Sequence, residues 1–360
     1  MNSRPCAPAA AIAGTVFPHP VSPELASALR RALQALPQPP ARFAVAVSGG
    51  ADSAMLALHA AAVARETGAG VVLLHVHHGL QDAADGWRDQ VEALADLLGL
   101  PLRQARVAVA TAGGQGIEAA ARDARYAALA RLAAEEGVGL ILLAHHRNDQ
   151  AETVLLRLLR GTGLGGMAAM APLTSRDGLA YLRPWLEQDR ETILRAARQF
   201  AGATCWHAVQ DPTNADPRYT RAALRELLAP VLDARWPGWR AIVARHARHV
   251  AQANEILDEV AREDFAALEP GPDGASFSLA AWRRLSPARQ VHVLRHWLER
   301  NGARMPTEAR MNDLLRQLRG LHSLGHDRQL RVEQAGHLIR CHRGRVWVEP
   351  RPGAGTLAPR

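Results

Sequence analysis

The feature that most constrains this chain is a glycine pair, Gly49 and Gly50, between an apolar run and a helical segment. The run Phe43–Val47 is typical of a buried strand, and Ala54–Ala64 has helical character. Two glycines let the backbone turn sharply and approach a ligand without an intervening side chain. Because successive backbone N–H groups at the start of a helix bind anions, residues 48–53 are predicted to form a phosphate-binding loop.

Lysine is absent from the sequence, so all 43 basic residues are arginine. This excludes a Schiff-base lysine, a lysyl-nucleotide ligase intermediate and a phosphate loop of the Gly-Lys-Ser/Thr kind. Arginine cannot take over these roles because it stays protonated. In this loop Ser48 and Ser53 supply hydroxyl groups, and the Asp52 carboxylate repels a phosphate unless Mg²⁺ lies between them. A plain strand–turn–helix capped by Asp52 and Ser53 is the alternative.

Strand-like and helical patterns alternate through the front of the chain. Strands are predicted over 43–47, 71–76, 102–107 and 140–144, and further helices over 86–98, 117–135 and 149–160. This alternation predicts an α/β fold with a doubly wound parallel sheet. Such a sheet binds ligands beyond the carboxyl ends of its strands. Helices are then predicted over 239–265, 286–300 and 307–318, followed by short strands over 329–332, 337–341 and 346–348.

Charge separates the two halves of the chain. Residues 1–235 carry 23 arginines against 22 acidic residues, whereas residues 236–345 carry 18 against 12, together with 8 of the 16 histidines. The basic half is predicted to bind a phosphate backbone, with a well-solvated helical surface as the alternative. We expect a loose N-terminal tail, a catalytic domain, a mainly helical basic domain and a C-terminal tail, over residues 1–22, 23–235, 236–349 and 350–360.

The cellular location of the protein is predicted from its hydropathy and its cysteines. No apolar run reaches the length of about 18 residues that a membrane span needs. Residues 7–17 faintly resemble a secretory leader, but proline and glycine interrupt them. The chain has three widely spaced cysteines, Cys6, Cys205 and Cys341. We therefore expect no disulfide scaffold, and we expect the protein to lie in the reducing cytoplasm.

Several polar side chains follow the predicted strands. Asp149 and Glu152 lie three residues apart at the start of a helix, where they could bind Mg²⁺ or orient an ammonium group; a capping box is the alternative. His145 at the strand end could contact nucleotide or substrate, or be structural. Arg122 and Arg125, one helical turn apart, could reach phosphates, although a solvated helix face explains them almost as well.

Five segments carry a resemblance to a known family. The hexapeptide SGGADS resembles the SGGxDS signature of the PP-loop ATP pyrophosphatases, which cleave ATP between the α and β phosphates. In order and spacing, the other four resemble the tRNA(Ile)-lysidine synthetases: HVHHGL from His75, EAAAR from Glu118, HHRNDQAET from His145, and DPTN from Asp211 with the Arg221 region after it. The resemblance covers residues 40–235 strongly and 240–345 more loosely.

The resemblance implies a reaction and a set of site residues. Free L-lysine would be joined to carbon 2 of the wobble cytidine of tRNA(Ile) with a CAU anticodon, through an adenylated intermediate, giving AMP and pyrophosphate. It implies ATP binding by Ser48, Gly49, Gly50, Ala51, Asp52 and Ser53, and catalytic roles for Asp52, Asp149 and Glu152. Mg²⁺ would bind Asp52 and Asp149. Substrate and tRNA would contact His145, Arg122, Arg125, Asp211, Asn214 and Arg221. The oligomeric state is left open, and a homodimer is compatible with the sequence.

Three positions depart from the family pattern. Asn148 stands where an aspartate is usual, His77 where Asn or Asp is frequent, and Ala222 where Asn is common. Asn148 could serve as a neutral oxygen ligand or as the N-cap of its helix. Two alternatives stay open: a tRNA thiolase of the same superfamily, which generally needs a cysteine pair near the site, and a non-catalytic nucleotide-binding RNA module. A GMP or NAD synthetase fits the basic, helical second half less well.

Overall fold

The computed structural model describes residues 17–77, 84–107, 117–211, 216–321, 330–334 and 336–351. The chain divides into two compact units, residues 1–248 and 249–360. Several sequence predictions lie outside the described residues: the end of the HVHHGL motif, Asn214 and most of both tails.

The first unit is built on a six-stranded sheet. Its strands are Arg42–Val47 (β1), Gly70–His77 (β2), Leu102–Arg106 (β3), Leu140–Leu142 (β4), Leu173–Arg176 (β5) and Leu179–Leu182 (β6). They lie in the order β3-β2-β1-β4-β6-β5, with β5 antiparallel to β6 and every other pair parallel. The predicted parallel sheet is therefore confirmed, and the β5–β6 hairpin adds an antiparallel edge that the sequence patterns did not predict.

Helices cover both faces of this sheet. They are Pro23–Gln34 (α1), Ala51–Thr67 (α2), Ala84–Leu98 (α3), Ile117–Glu135 (α4), Arg147–Leu159 (α5), Leu164–Met167 (α6), Arg190–Thr204 (α7), Thr220–Ala223 (α8) and Ala229–Arg235 (α9). A π-helical segment, Leu224–Leu228, joins α8 to α9. The predicted helices are confirmed to within a few residues, whereas α1, α6, α7, α8 and α9 were not predicted.

The strand β1 shows why an unbroken apolar run forms a central strand. Successive side chains of a strand point to opposite faces. Phe43 and Val45 are buried in the layer that contains α1, α2, α3 and α7, whereas Ala44 is buried in the layer that contains α4. Because both faces are covered, every position of the strand can be apolar.

The topological switch point lies between β1 and β4. On one side β1 pairs with β2, with Val47 opposite His75, and on the other side it pairs with β4, with Val45 opposite Leu142. The connections leave these strands in opposite directions, which opens a crevice at their carboxyl ends. The segments after β1 and β4 therefore meet at one edge of the sheet.

The second unit combines helices with a small sheet. The division between the units falls within the helix Trp239–Ala267 (α10). After it come Ser276–Ser278 (β7), Leu279–Arg284 (α11), Pro287–Arg300 (α12), Glu308–Gly320 (α13), Leu330–Gln334 (β8), His337–His342 (β9) and Arg345–Pro350 (β10). The strands form an antiparallel sheet in the order β7-β10-β9-β8 around a core that includes Phe277, Trp282 and Trp297. Within the described parts of both units, none of the helices has the length and apolar character that a membrane crossing requires.

A buried histidine joins α1 to α2. His59 is fully buried, its Nδ1 lies 2.7 Å from the carbonyl oxygen of Met55, and its Nε2 accepts a hydrogen bond from the Ser22 N–H at 3.0 Å. The ring also packs edge-to-face on Trp185 at 5.5 Å. Since Nε2 is an acceptor, the ring is neutral with its proton on Nδ1. Burial lowers the pKa of His59 to about 4.

We expect this histidine to make the free energy of unfolding depend on pH. Between pH 6.5 and about 4 the unfolded chain binds a proton at this position and the folded chain does not. Stability therefore falls as the pH falls through this window, by up to about 3 kcal/mol for this group. In urea unfolding at pH 7 and pH 4.5, His59→Gln should lose less stability on acidification than the wild type. The matched control is His207→Gln, at an exposed position; equal losses in all three proteins would contradict the assignment.

Candidate functional site

The phosphate-binding loop after β1 has the backbone geometry that its glycines predict. Gly49 has φ +88°, in the left-handed region, and its carbonyl accepts the Val209 N–H at 3.0 Å. A Cβ atom at Gly49 would lie 3.1 Å from Cγ2 of Val209. Gly50 is the N-cap of α2, without a side-chain hydrogen bond to the helix start. The first N–H groups of α2 are therefore available to an anion at its positive end.

Two serine hydroxyls shape this loop from within. The Ser53 hydroxyl accepts the Ser48 N–H at 3.0 Å and donates to the Gly50 carbonyl at 3.1 Å. It also lies 3.1 Å from Ser48 Oγ. These bonds close the loop onto the first turn of α2, so both hydroxyls position backbone groups in addition to any contact with a ligand.

A cavity of about 380 Å³ opens beside the loop. This volume lies within the usual range of small-molecule sites. Seven of the predicted site residues line it: Ser48, Gly50, Asp52, Ser53, Arg125, His145 and Asp211. Residues at the carboxyl ends of β1, β2 and β4 thus line one pocket, which is where a topological switch point places a ligand site.

Asp52 is partly buried and has a histidine and an arginine as neighbours. Its Oδ2 lies 3.7 Å from His146 Nε2 and 3.6 Å from Arg190 Nε. Burial raises the pKa of Asp52, but the hydrogen bond and charge of His146 and the charge of Arg190 outweigh it, so the pKa lies below its ordinary value. Asp52 is therefore ionised at neutral pH. Its other oxygen, Oδ1, is buried without a hydrogen-bond partner among the described residues.

The start of α5 corrects two sequence interpretations. The N-cap is His146, whose ring accepts the Asp149 N–H at 3.4 Å while the Asp149 carboxylate accepts the His146 N–H at 3.2 Å. Asn148 is thus not the N-cap; it lies inside the first turn, and its Oδ1 accepts the Arg190 N–H at 3.5 Å. The capping box joins His146 to Asp149, and the Asp149–Glu152 capping box considered from the sequence is wrong. This leaves the Glu152 side chain outside the cap.

Asp149 and Glu152 lie on one helix face, as predicted, and both contact Arg225. Arg225 Nε lies 2.6 Å from Glu152 Oε1, and Nη2 lies 2.8 Å from Glu152 Oε2 and 3.3 Å from Asp149 Oδ1. Neither carboxylate lines the cavity itself. Asp149 is linked to it through His146, whose Nε2 is 3.4 Å from Asp149 Oδ2 and also faces Asp52.

Some of the arginine and histidine residues predicted to contact substrate line the cavity, and others do not. Arg122 and Arg125 both lie over the Tyr126 ring, at 5.5 and 5.8 Å, but Arg125 alone of the two lines the cavity. Arg221 donates to Thr153 Oγ1 at 3.3 Å, on the helix that carries Asp149. His145 lines the cavity, and burial holds its pKa well below the ordinary value against the charge of Asp149. It is therefore a neutral group.

These residues fit a nucleotide with an accompanying divalent cation. The uncapped helix start suits phosphate oxygens, and the unpartnered Oδ1 of Asp52 is a hard oxygen ligand. Among the described residues, no group of three His, Cys, Asp or Glu side chains converges on a metal position. Mg²⁺ is commonly bound by one or two carboxylates together with substrate phosphates and water.

Sequence reasoning missed three residues of this site. His146 was passed over beside His145, although a polar residue directly before a helix is a capping signal. Arg225 follows Arg221 by four residues, which is the spacing of one helix face, and that periodicity could have found it. No sequence signal indicates Arg190, because only the tertiary fold brings α7 to the phosphate-binding loop.

Comparison with known proteins agrees with this architecture. A PP-loop domain model matches residues 22–232. A solved structure, the U34-tRNA thiolase of Methanococcus maripaludis with its 4Fe-4S cluster, is 14% identical, with a TM-score of 0.53 over 64% of this chain and 79% of that one. The likeness is one of fold alone. The first unit is a PP-loop ATP-binding domain.

Closer relatives give the family. A TilS substrate binding domain model matches residues 277–347. The tRNA(Ile)-lysidine synthase of Bordetella bronchiseptica is 64% identical over 93% of this chain and 98% of its own length, and that of Bordetella pertussis is 65% identical over 88% and 99%. That of Ralstonia nicotianae is 47% identical over 87% of this chain and 66% of its own. The chain belongs to the tRNA(Ile)-lysidine synthase family, so the predicted family and enzyme class are confirmed.

The left-handed turn leads to a prediction about stability. Gly49→Ala should lower the free energy of unfolding by about 1–2 kcal/mol, because a Cβ is disfavoured at this φ and would approach Val209. Gly50→Ala is the matched control, since its φ is −72° and its Cβ would meet Ser48 Oγ at an ordinary 3.5 Å. Urea unfolding of both variants makes the comparison. A similar loss in both would show that the left-handed turn is not the cause.

Proposed function

We propose that this chain joins free L-lysine to carbon 2 of the wobble cytidine of tRNA(Ile) with a CAU anticodon, at the expense of ATP. One observation carries the proposal. The ionised Asp52 of the phosphate-binding loop and the carboxylate pair Asp149–Glu152 meet across a single buried imidazole, that of His146. A nucleotide site and a site suited to a cationic amine are therefore adjacent, which is what ligation of an amine through an adenylated intermediate needs.

The first step would be adenylation of the base. The oxygen on carbon 2 of cytidine attacks the α-phosphorus of ATP, a new O–P bond forms, and the bond to the departing pyrophosphate breaks. Residues 48–53 would bind the phosphates through backbone N–H groups, which stabilises charge in the transition state. Asp52 and, with it, Asp149 would bind Mg²⁺, which supplies further neutralisation of phosphate charge when bound. The base must leave the anticodon stack, which costs little in a single-stranded loop.

The second step would use the carboxylate pair. The amine of lysine attacks carbon 2, a C–N bond forms, and the bond to AMP breaks. An ammonium cannot attack, so Glu152 or Asp149 would first bind it and then accept its proton. His145, Arg125 and Asp211 line the same cavity and would contact the base or its flanking groups. Arg122 and Arg221, with Asn214, would contact the tRNA.

The second domain would bind the arms of the tRNA. Residues 236–345 carry 18 arginines against 12 acidic residues, and the matched substrate-binding segment 277–347 lies within the proposed domain 236–349. Arginine pairs well with phosphate because its guanidinium group donates two parallel hydrogen bonds. The catalytic domain would be residues 23–235. A cytoplasmic location is part of the proposal, as tRNA and ATP are the substrates.

The two alternative functions, a tRNA thiolase and a non-catalytic RNA-binding module, have less support. No cysteine lines the cavity among the described residues. Cys205 is exposed at the end of α7, and Cys341 is buried in the core of the second unit. A cysteine pair near the site, which the thiolase reading needs, is thus not found in the described part of the chain. The ionised Asp52 and the carboxylate pair also argue against a non-catalytic module.

Incubation with ATP, labelled lysine and the tRNA(Ile) transcript tests the reaction. We expect tRNA-dependent release of pyrophosphate and AMP with one lysine incorporated, and no incorporation into a transcript with a different wobble base. Asp52→Asn should reduce pyrophosphate release by at least about 100-fold, because phosphate charge is then not neutralised. Asp89→Asn, at an exposed position on α3, is the control. Full release by Asp52→Asn would refute the role of the loop.

The affinity for tRNA should depend steeply on salt. If six or more phosphates are contacted, the dissociation constant rises by about 10³ or more between about 50 and 200 mM salt. Exchange of exposed arginines in the second unit, Arg310→Gln or Arg331→Gln, should reduce the log–log slope by about 1 each. Arg30→Gln, whose arginine pairs with Glu66 in the first unit, is the control. Salt-insensitive binding in a filter-binding assay would refute the proposed role of the basic domain.

A further inference from the structure

Arg225 occupies the place where the proposed function puts a cationic substrate. Its guanidinium group pairs with both oxygens of Glu152, at 2.6 and 2.8 Å, and reaches Asp149 Oδ1 at 3.3 Å. The side chains of Glu152 and Asp149 are only 7% and 12% exposed, and that of Arg225 is 26% exposed. A cation of the chain itself therefore already pairs with both carboxylates and compensates one of their two negative charges.

A second cation would have to share the carboxylate oxygens with Arg225. Both Glu152 oxygens are engaged, and the remaining Asp149 oxygen, Oδ2, accepts the His146 N–H. An incoming ammonium would meet a guanidinium of the same charge in a poorly solvated setting, where like charges repel strongly. Each of the four carboxylate oxygens of the pair already accepts a hydrogen bond. The amine and Arg225 would therefore compete for the same oxygens.

We propose that Arg225 is an internal occupant of the amine site, which the ammonium group of the amino-acid substrate displaces when it binds. The inference rests on the proposed function, in which Asp149 and Glu152 receive that ammonium. It adds a selection rule: the site opens to a ligand whose side chain carries a positive charge. An amino acid with a neutral or acidic side chain has no side-chain ammonium, so displacement of Arg225 by it would leave both carboxylates buried without a counter-ion.

The helix around Arg225 contains a π-helical segment that could permit such a movement. Arg225 lies in the π-helical segment Leu224–Leu228, between the α-helical turns of α8 and α9. π-Helical turns are rare, and they occur frequently at functional sites. Two side chains of the segment, Leu227 and Leu228, are exposed, and Leu224 is its buried apolar contact. Ala222 and Ala229 are buried on either side and anchor the ends.

Displacement would also prepare the base that the second step needs. In the observed structure both oxygens of Glu152 accept hydrogen bonds from Arg225. The guanidinium itself stays protonated and cannot accept a proton. Once Arg225 leaves, Glu152 is free to bind the substrate ammonium and take one proton from it, which releases the lone pair for attack. Arrival of the substrate and activation of the base thus become one event.

The first experiment measures lysine binding to the full-length protein by isothermal titration calorimetry. Arg225→Gln removes the competing charge, so the dissociation constant for L-lysine should fall by about tenfold or more, the equivalent of one charge-assisted hydrogen bond. The control is Arg218→Gln, whose arginine is 86% exposed and pairs with Asp216; its affinity should match the wild type. Equal or weaker binding by a folded Arg225→Gln protein would overturn the proposal, because a purely structural brace predicts that result.

If Arg225→Gln does not fold, a second variant tests the same proposal. Arg225→Lys keeps the charge, and the introduced side chain is the single lysine of the 360-residue chain. Protein labelled with ¹⁵N-lysine therefore gives one side-chain ammonium signal, which reports on this position alone. Saturation with unlabelled L-lysine should shift this signal towards that of a solvent-exposed ammonium. A signal that stays unchanged at saturation would overturn the proposal.

These outcomes are separate from a failure of the proposed function. If the wild type binds lysine and incorporates it into tRNA(Ile), but Arg225→Gln shows no gain in affinity, the reaction stands and the displacement does not. If the wild type neither binds lysine nor incorporates it, the proposed reaction itself is refuted, and the inference falls with it. A neutral analogue, norleucine, should bind neither the wild type nor Arg225→Gln.

Discussion

The central position of β1 in its sheet is the constraint on which the rest of the molecule depends. The strand is apolar along its whole length because helices cover both of its faces. It pairs with β2 on one side and β4 on the other. The connections therefore leave the sheet in opposite directions, and the segments after β1 and β4 meet at its carboxyl edge. The phosphate-binding loop and the helix start at His146 are neighbours for this reason.

Electrostatics at this edge reflects a chain whose cations are all arginine. Arginine stays charged under burial, and its planar group pairs with both oxygens of a carboxylate. Arg225 pairs in this way with Glu152, whereas Arg190 faces only Oδ2 of Asp52, where its charge helps to lower the pKa of that carboxyl group. The same permanence means that an arginine can be displaced from a carboxylate but cannot be neutralised there. A site with this composition responds to a cationic ligand by exchange of partners.

Much of the fold was predictable because its signals are local. The unbroken apolar runs of β1 and β2, the helical spacing of α3 and the turn at Gly49 each depend on residues close together in the sequence. The β5–β6 hairpin was missed because its strands are only four residues long and one lies at the edge of the sheet. A short edge strand, covered on few sides, needs no distinctive apolar pattern.

For the site, the sequence by itself determined the identity of the groups: the loop 48–53, the carboxylates Asp149 and Glu152, and a basic second half. Chemistry and spacing within one turn or one helix were enough for these. Only the tertiary structure decided their partners. His146 rather than Asn148 caps α5, Arg190 lies beside Asp52, and Arg225 forms an ion pair with Glu152. These contacts join residues up to 138 positions apart, and distance along the chain leaves no periodic trace in a single sequence.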